Sequence, residues 1–285
     1  MRKTFTIALC YDFDGTLSPA NIQEYAFIPQ LQKQPKVFWN ETCKLAKKQD
    51  ADEILAYMYL MCNQAKKLDI KIRRDDFLRF GKKVKFYSGL TSPNGKDWFS
   101  TINSYGESLG ATVRHYVISS GIKEMIEGTS IASNFHKIYA SSFMYDIYGV
   151  AMWPAQAVNY TTKMNYLFRI NKGIFNLQKS INNYMPEKQR PVPFSRMIYF
   201  GDGLTDIPAM KLVKTQGGYS IAVHNGSATN RKISEKLLNE NRVDFTAKAD
   251  YRQNSELTAQ VKRVIDKIAA EYYLEQKEQG QLRRK

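Results

Sequence analysis

Apolar and polar positions divide the first part of the chain into a short buried segment and a longer helical one. Residues 5–11 form a run that is apolar except for Thr6, is rich in β-forming residues and stops abruptly at an acidic turn. A run of this kind is typical of a strand buried on both faces of a sheet. Residues 22–85 instead show helical periodicity, with broad apolar faces between polar stretches. We therefore predict a central strand followed by a helical insertion.

Strand and helix patterns alternate over the rest of the chain. Strands are predicted at residues 113–119, 136–140, 196–200, 219–223 and 244–247, with a hairpin at residues 143–153. Helices are predicted at residues 122–128, 206–213 and 255–276, and Thr161 or Thr162 is the expected N-cap of a further amphipathic helix. This alternation predicts an α/β fold, in which a parallel sheet carries helices on both faces and ligands bind beyond the carboxyl ends of its strands.

The composition fits one sizeable globular core, or a core with a smaller inserted domain. The chain has 285 residues, of which 43% are apolar. No apolar stretch reaches the roughly 18 residues of a membrane span. Three cysteines without a Cys-x-x-Cys pair indicate neither a disulfide framework nor a zinc knuckle. We expect a soluble, cytoplasmic protein that does not bind membranes.

The formal net charge of +15 is the one unusual feature of the composition. It fits an enzyme that favours anionic substrates, or a protein that also binds nucleic acid. The basic residues are dispersed in short clusters, such as residues 71–74, 82–85 and 283–285, and form no recognisable nucleic-acid motif. A solvated basic surface is the favoured interpretation, and nucleic-acid binding stays an alternative.

The acidic turn after the first strand, DFDGT at residues 12–16, offers two carboxylates for phosphoryl transfer. Asp12 can attack phosphorus and form an acyl phosphate, which a later water hydrolyses. Asp14 can protonate the leaving group and then activate that water. Gly15 permits the sharp turn, and Thr16 can hydrogen-bond the phosphate or cap the next segment. Alone, an Asp-x-Asp pair is more often a surface turn than a catalytic pair.

A second acidic turn, GDGLTD at residues 201–206, follows another apolar strand and precedes a helix. A carboxylate nucleophile and a phosphate repel each other unless a cation lies between them, and Mg²⁺ prefers oxygen ligands. Asp202 is the predicted direct metal ligand, and Asp206 is expected to support it. The alternative role for Asp206 is that of a helix N-cap.

A serine pair offers hydrogen bonds to the phosphate. Residues 117–121, VISSG, read as an apolar strand that breaks at a helix start, where a serine hydroxyl and backbone N–H groups can hold phosphate oxygens. Ser119 is favoured for this role over Ser120, which is the better candidate for an ordinary N-cap. Gly121 follows them and supplies a further N–H group.

A lysine near these strand ends would neutralise the charge that develops on the phosphate. Lys163, in the first turn of the helix after Thr161, is the preferred candidate, and Lys172 is the runner-up. No rival chemistry has a comparable set of residues. The three histidines lack zinc spacing, and the sequence contains no nucleotide-binding glycine loop.

With these four elements in this order, the chain resembles the haloacid dehalogenase superfamily, and within it the phosphoserine phosphatases. The resemblance implies a Rossmann-like core, a phosphoaspartate on Asp12 and a Mg²⁺ cofactor. It also implies that Asp12 is a metal ligand as well as the nucleophile, that Asp14 binds the metal through its backbone carbonyl, and that Asp202 is the remaining ligand. An aspartate at position 14 separates phosphatases from dehalogenases, so dehalogenation is disfavoured.

The helical insertion resembles the cap that closes the active site of phosphoserine phosphatases and selects their substrate. The predicted organisation is a catalytic core at residues 1–18 and 88–285 with a helical cap domain at residues 19–87. Two arginines of this cap, Arg73 and Arg74, are candidates to clamp a substrate carboxylate or a second phosphate.

One departure from that family bears on the substrate. Phosphoserine phosphatases carry a glutamate shortly after the first motif that binds the substrate ammonium, whereas residues 18–21 here read SPAN and Glu24 comes only further along. The sequence thus predicts a Mg²⁺-dependent phosphomonoester phosphatase for a small phosphorylated metabolite, with phosphoserine-like compounds included. A phosphotransferase or nucleotidase would use the same chemistry. A basic nucleic-acid-binding protein on an inactive scaffold is the alternative of another class, and it is disfavoured because no catalytic carboxylate is missing.

Overall fold

The computed structural model describes residues 4–92 and 94–282, so the basic cluster at residues 283–285 lies outside the described residues. Within these ranges seven strands form one sheet in the order β4-β3-β2-β1-β5-β6-β7. Neighbouring strands pair in parallel except β3 and β4, which are antiparallel. The strands are β1 (Phe5–Tyr11), β2 (Ala111–Ile122), β3 (Phe135–Tyr145), β4 (Ala151–Gln156), β5 (Met197–Gly201), β6 (Tyr219–His224) and β7 (Phe245–Lys248). The predicted α/β fold is confirmed.

Helices cover both faces of this sheet and fill the segment between β1 and β2. They are α1 (Phe27–Gln30), α2 (Pro35–Gln49), α3 (Glu53–Lys67), α4 (Arg74–Gly81), α5 (Trp98–Ser108), α6 (Lys123–Glu127), α7 (Thr162–Lys172), α8 (Ile207–Thr215), α9 (Ala228–Asn239) and α10 (Glu256–Leu282). Two of them, α5 and α9, were not predicted. α9 buries only Ser234 and Leu237, which is too short an apolar stripe to reveal a helix. Among the residues described, no helix is both long and apolar enough to cross a membrane.

β1 is the central strand of the sheet, so its residues are buried on both faces. Side chains alternate along a strand, so Ile7, Leu9 and Tyr11 join one apolar cluster while Ala8 and Cys10 join the other. This double burial explains why residues 7–11 are all apolar.

The strand register brings the predicted motifs to one edge of the sheet. Tyr11, the last residue of β1, is paired with Val117 of β2 and with Phe200 of β5. The residues that come next, Asp12 and Asp202, therefore leave neighbouring strands at the same end. The backbone N–H of Asp12 still donates to the Phe200 carbonyl, 2.9 Å away, which fixes the start of the turn.

The helical segment is anchored on the hairpin of β3 and β4. The N–H of Ala151 donates to the Ile72 carbonyl, and the N–H of Arg74 donates to the carbonyl of Gly149. A further bond runs from the Tyr57 hydroxyl of α3 to the Ser120 carbonyl of β2, at 2.6 Å. Residues 19–87 as the bounds of a cap domain stay a prediction.

Candidate active site

A buried ion cluster lies beyond the ends of β1 and β5. The ammonium of Lys163 is 2.8 Å from Oδ1 of Asp12 and 2.7 Å from Oδ1 of Asp206. Lys163 reaches them from the first turn of α7, and its side chain is only 1% exposed. One lysine thus compensates two carboxylates away from water.

Asp206 is wholly buried and does not cap α8 with its side chain. Its Oδ1 accepts a second hydrogen bond, from the Tyr199 hydroxyl at 2.8 Å. Its Oδ2 has no hydrogen-bond partner among the described residues. Of the two roles that the sequence left open for Asp206, the structure therefore excludes side-chain N-capping and retains a role in the site.

Asp202 lies against Gly15, and this close approach requires a glycine. Gly15 has φ +77°, and a Cβ built on it would be 2.0 Å from Oδ2 of Asp202. Oxygen atoms of Asp12, Asp202 and Asp206 all lie within 4.8 Å of one another, which is an arrangement that can hold a metal ion. The carboxylate of Asp14 is not a member of this cluster.

The cluster carries more negative charge than Lys163 balances. Burial raises the pKa of Asp12 to about 6, and Asp206 adds to the rise while Lys163 opposes it. Burial, followed by the charges of Asp12 and Asp206, raises the pKa of Asp202 to about 8. Burial opposes the charged form of Lys163, but its two carboxylate partners outweigh burial and raise its pKa. These shifts, the unpartnered Oδ2 of Asp206 and the all-oxygen donor set fit a divalent cation such as Mg²⁺.

Asp14 lines the same cavity, and its side chain bonds the start of the helical segment. Its Oδ1 accepts a hydrogen bond from the backbone N–H of Ile22, at 2.8 Å. Burial, and next the charge of Asp12, raises the pKa of Asp14 well above its usual value. A raised pKa favours the protonated form of this carboxyl group, which is the state that a proton donor needs.

The two serines of β2 have different surroundings. Ser119 is fully buried, and its Oγ accepts a hydrogen bond from the N–H of Gly121 at 2.9 Å. Ser120 lines the cavity described below and presents its carbonyl to Tyr57. A Cβ at Gly121 would lie 3.1 Å from Oδ2 of Asp14, so this glycine lets β2 approach the acidic turn.

Thr16 has its hydroxyl buried, with no hydrogen-bond partner among the described residues. It does not line the cavity. Its backbone carbonyl accepts a bond from the Tyr251 hydroxyl, at 2.7 Å. The structure therefore places Thr16 behind the acidic turn, where it supports the turn through its backbone.

Lys172, the alternative lysine, lies at the other end of α7. Its ammonium donates to the carbonyls of Ile181 and Asn183 and so anchors the loop that follows the helix. Thr161 occupies the predicted N-cap position of α7, but its side chain makes no capping hydrogen bond. Oδ1 of Asn159 accepts the N–H groups of both threonines, at 3.1 and 3.0 Å.

A cavity of about 450 Å³ opens directly above the carboxylates. Asp12, Asp14 and Asp202 form part of its floor, and the helical segment supplies the opposite wall. The wall residues of the helical segment for which the sequence predicted no role in the site include Pro19, Ala20, Asn21, Gln23, Trp39, Ile54 and Tyr57. They come from separate pieces of the helical segment, so only the tertiary fold brings them together.

Glu24 also lines this cavity and is held by two donors. Its Oε1 accepts bonds from the Asn21 amide and from the Trp39 indole N–H, both at 2.7 Å. Gln23 beside it is buried, and its Oε1 has no partner among the described residues. This end of the cavity thus presents hydrogen-bond acceptors and one negative charge.

Arg73 and Arg74 do not reach the cavity, and their predicted role as a substrate clamp is not supported. Both are exposed at the start of α4, next to the hairpin turn. Their backbones make the contacts to the hairpin: Arg73 forms a bridge with Val150, and Arg74 bonds Gly149. Backbone pairing of residues 72–74 with the hairpin carries both side chains away from the acidic turn.

Comparison with known proteins finds matches along most of the chain. The family model of haloacid dehalogenase-like hydrolases matches residues 9–211, which is more than half of the chain. An uncharacterized protein of Borreliella burgdorferi is 27% identical over 276 residues, covering 88% of this chain and 93% of that protein.

Two solved structures illustrate the shared fold. A substrate-bound phosphoserine phosphatase complex is 12% identical, has a TM-score of 0.55, and the match covers 92% of this chain and 99% of that one. A haloacid dehalogenase family hydrolase from Salmonella enterica serovar Typhi is 13% identical with a TM-score of 0.53, and the match covers 79% of this chain. The chain spans 64% of the length of that hydrolase.

Proposed function

The chain belongs to the haloacid dehalogenase-like hydrolase family, and we propose that it is a Mg²⁺-dependent phosphatase that forms a phosphoaspartate on Asp12. The observation that carries the proposal is the cluster of Asp12, Asp202 and Asp206 beside Lys163, two of whose members, Asp12 and Asp202, line the cavity. The fold that it shares with phosphoserine phosphatases supports the same chemistry.

In the first step, a carboxylate oxygen of Asp12 attacks the phosphorus of a phosphomonoester. The bond between phosphorus and the leaving oxygen breaks, and that oxygen takes the proton of Asp14. Oδ1 of Asp12 is bonded to Lys163, which leaves Oδ2 as the attacking atom. Ser119 lies beside the turn, since the Cβ position of Gly121 is 3.3 Å from its Oγ and 3.1 Å from Oδ2 of Asp14. Its hydroxyl is proposed to hold a phosphate oxygen.

In the second step, Asp14 acts as a base. Its carboxylate takes a proton from water while the water oxygen attacks the phosphorus of the acyl phosphate. The bond between phosphorus and Asp12 breaks, inorganic phosphate leaves, and both aspartates return to their starting forms. Mg²⁺ would be held by Asp12 and Asp202, with Asp206 in support, and would reduce the repulsion between carboxylate and phosphate.

The cavity wall indicates the class of leaving group. Among its described lining residues there is no Lys, Arg or His, so a second anionic group would find no cationic partner there. Glu24 and Gln23 instead offer acceptors. We therefore propose a small phosphomonoester whose leaving group carries an amine or hydroxyl groups.

The helical wall is proposed to act as a cap that excludes water during the first step. A panel of phosphorylated metabolites, assayed for phosphate release with Mg²⁺ and with a chelator, tests the function. We expect release from at least one compound with Mg²⁺, loss of release with chelator, and loss in Asp12→Asn. Undiminished release by Asp12→Asn would show that another nucleophile acts, and recovery of labelled phosphate on an added alcohol would reveal a transferase.

A further inference from the structure

The side chains of Asp52 and Asn159 join the beginnings of two helices. Asp52 is the N-cap of α3, where its Oδ1 accepts the N–H groups of Ile54 and Leu55 at 2.9 and 3.1 Å. Its other oxygen, Oδ2, accepts the side-chain amide of Asn159 at 2.8 Å. A single aspartate therefore caps one helix and holds the residue that caps another.

Asn159 begins α7 through a reciprocal pair of bonds with Thr162. Oδ1 of Asn159 accepts the N–H of Thr162 at 3.0 Å, and Oγ1 of Thr162 accepts the N–H of Asn159 at 2.8 Å. The next N–H, of Lys163, donates to the Asn159 carbonyl at 3.0 Å. Because Oδ1 is used in the cap, the amide nitrogen must face Asp52, so the bond between the two side chains has a fixed direction.

The two helices carry different parts of the site. α3 supplies Ile54 and Tyr57 to the wall of the cavity, and α7 supplies Lys163 to the ion cluster. The bond from Asn159 to Asp52 is thus a direct side-chain link between the wall and the first turn that aims the lysine. Since one partner is charged and both are partly shielded from water, the bond is stronger than one between neutral groups.

We propose that Asp52 and Asn159 are positioning residues. Through their hydrogen bond, the position of the helical segment over the cavity determines the position of Lys163. This inference rests on the proposed phosphatase function. When the helical segment packs over the cavity, the hydrogen bond from Asn159 to Asp52 holds the first turn of α7, with the Lys163 ammonium between Asp12 and Asp206. When the bond is lost, that turn loses its anchor and the charge on the reacting phosphate is less well compensated.

The chemistry of the pair permits an exchange experiment in which both caps are kept. Asp52→Asn retains a capping oxygen for α3 but turns an amide toward the amide of Asn159, so two donors face each other. Asn159→Asp retains a capping oxygen for α7 but sets two carboxylates against each other. The double variant Asp52→Asn with Asn159→Asp restores one donor and one acceptor with their places exchanged. Asp97→Asn, at the cap of α5, is the matched control because, among the described residues, the Asp97 side chain accepts a bond only from the N–H of Ser100 in its own helix.

Two measurements test the positioning role of Asp52 and Asn159, and the first does not depend on activity. Hydrogen–deuterium exchange at residues 160–166 reports whether the first turn of α7 is held. We expect faster exchange in each single variant and wild-type exchange in the double variant and in Asp97→Asn. Equal exchange in all the proteins, or no recovery in the double variant, would overturn the proposal.

The second measurement is the rate of phosphate release on the best substrate. We expect kcat to fall roughly ten-fold in each single variant with KM changed less, and to recover in the double variant. Unchanged kcat in both single variants would overturn the positioning role. A wild-type protein that releases no phosphate from any compound would contradict the proposed function instead. The hydrogen–deuterium exchange data alone would then show whether the bond between Asp52 and Asn159 holds the first turn of α7.

Discussion

The Lys163 ammonium lies 2.8 Å from Oδ1 of Asp12, although the two residues are 151 positions apart along the chain. Asp12 ends the central strand and Lys163 begins a helix on one face of the sheet, so the parallel topology itself creates the contact. The same ammonium bonds Asp206, and this makes Lys163 the shared partner of two carboxylates in a site with excess negative charge.

Replacing Lys163 should abolish most of the activity. Lys163→Met removes the buried cation that bonds Asp12 and Asp206, so we expect kcat to fall by about a hundred-fold or more. Lys172→Met is the control, because Lys172 bonds only loop carbonyls at the far end of α7. Steady-state phosphate release measures both variants, and a Lys163→Met enzyme with wild-type kcat would remove this lysine from the mechanism.

Gly15 should tolerate no side chain, for two separable reasons. Gly15→Ala places a side chain at φ +77° and within 2.0 Å of the Asp202 carboxylate. We expect a loss of about 1–3 kcal/mol in the free energy of unfolding from the backbone strain, together with loss of phosphate release. Gly149→Ala has nearly the same φ, +75°, with nothing within 4 Å, so it carries the strain without the clash. Urea unfolding and activity assays of both variants separate the effects, and equal activity would refute the role of the close approach to Asp202.

Glu24 should control which leaving groups are accepted. Glu24→Gln keeps an oxygen for Asn21 and Trp39 but removes the charge. We expect KM for amine-bearing phosphomonoesters to rise about ten-fold, while kcat/KM for p-nitrophenyl phosphate stays near the wild-type value. Glu41→Gln, in the same helical segment but outside the cavity lining, is the control. A uniform loss on every substrate would show that Glu24 acts on the fold and not on selectivity.

His115 should make the folded state sensitive to acid. The Trp98 indole donates to the Tyr11 hydroxyl, and this hydroxyl bonds Nδ1 of His115, whose Nε2 bonds the Asn103 oxygen. Burial lowers the pKa of His115 from 6.5 to about 3. The unfolded chain therefore binds a proton below pH 6.5 that the folded protein does not bind, so this contribution is complete above pH 6.5 and is lost as the pH falls toward 3.

The free energy of unfolding of wild type relative to His115→Gln should thus fall by about 3 kcal/mol between pH 6.5 and pH 4. Taking the difference between the two proteins cancels the titration of groups that they share. Urea unfolding at several pH values provides the measurement. Parallel pH profiles would contradict this account, because they would mean that the pKa of His115 is not lowered in the folded protein.

The site residues that lie at strand ends could be predicted from the local sequence. Asp12 and Asp202 follow buried strands directly, and a parallel sheet must bring such ends to one edge. The choice of Lys163 over Lys172 also followed from position, since the start of α7 faces that edge while its end does not. Asn159 as the source of the capping bonds of α7 was not predicted, although the Asn159-x-x-Thr162 spacing is a reciprocal capping pattern that the sequence does contain.

The opposite wall of the cavity could not be predicted in the same way. Trp39 and Tyr57 lie on different helices, and their meeting depends on how α2 and α3 pack. Arg73 and Arg74 were misplaced for the same reason, because their orientation follows from backbone pairing with the distant hairpin at Gly149 and Val150. No periodicity within the helical segment encodes those tertiary contacts.

Trapping of the covalent intermediate examines the role of Asp12 itself. The wild-type protein, mixed with Mg²⁺ and its best substrate and quenched in acid within a single turnover, should carry one phosphoryl group, and peptide mass spectrometry should locate it on Asp12. Omission of Mg²⁺ or the change Asp12→Asn should leave the protein unmodified. A phosphoryl group on any other residue, or rapid turnover of wild type with no phosphorylated protein at any time, would contradict the proposed mechanism.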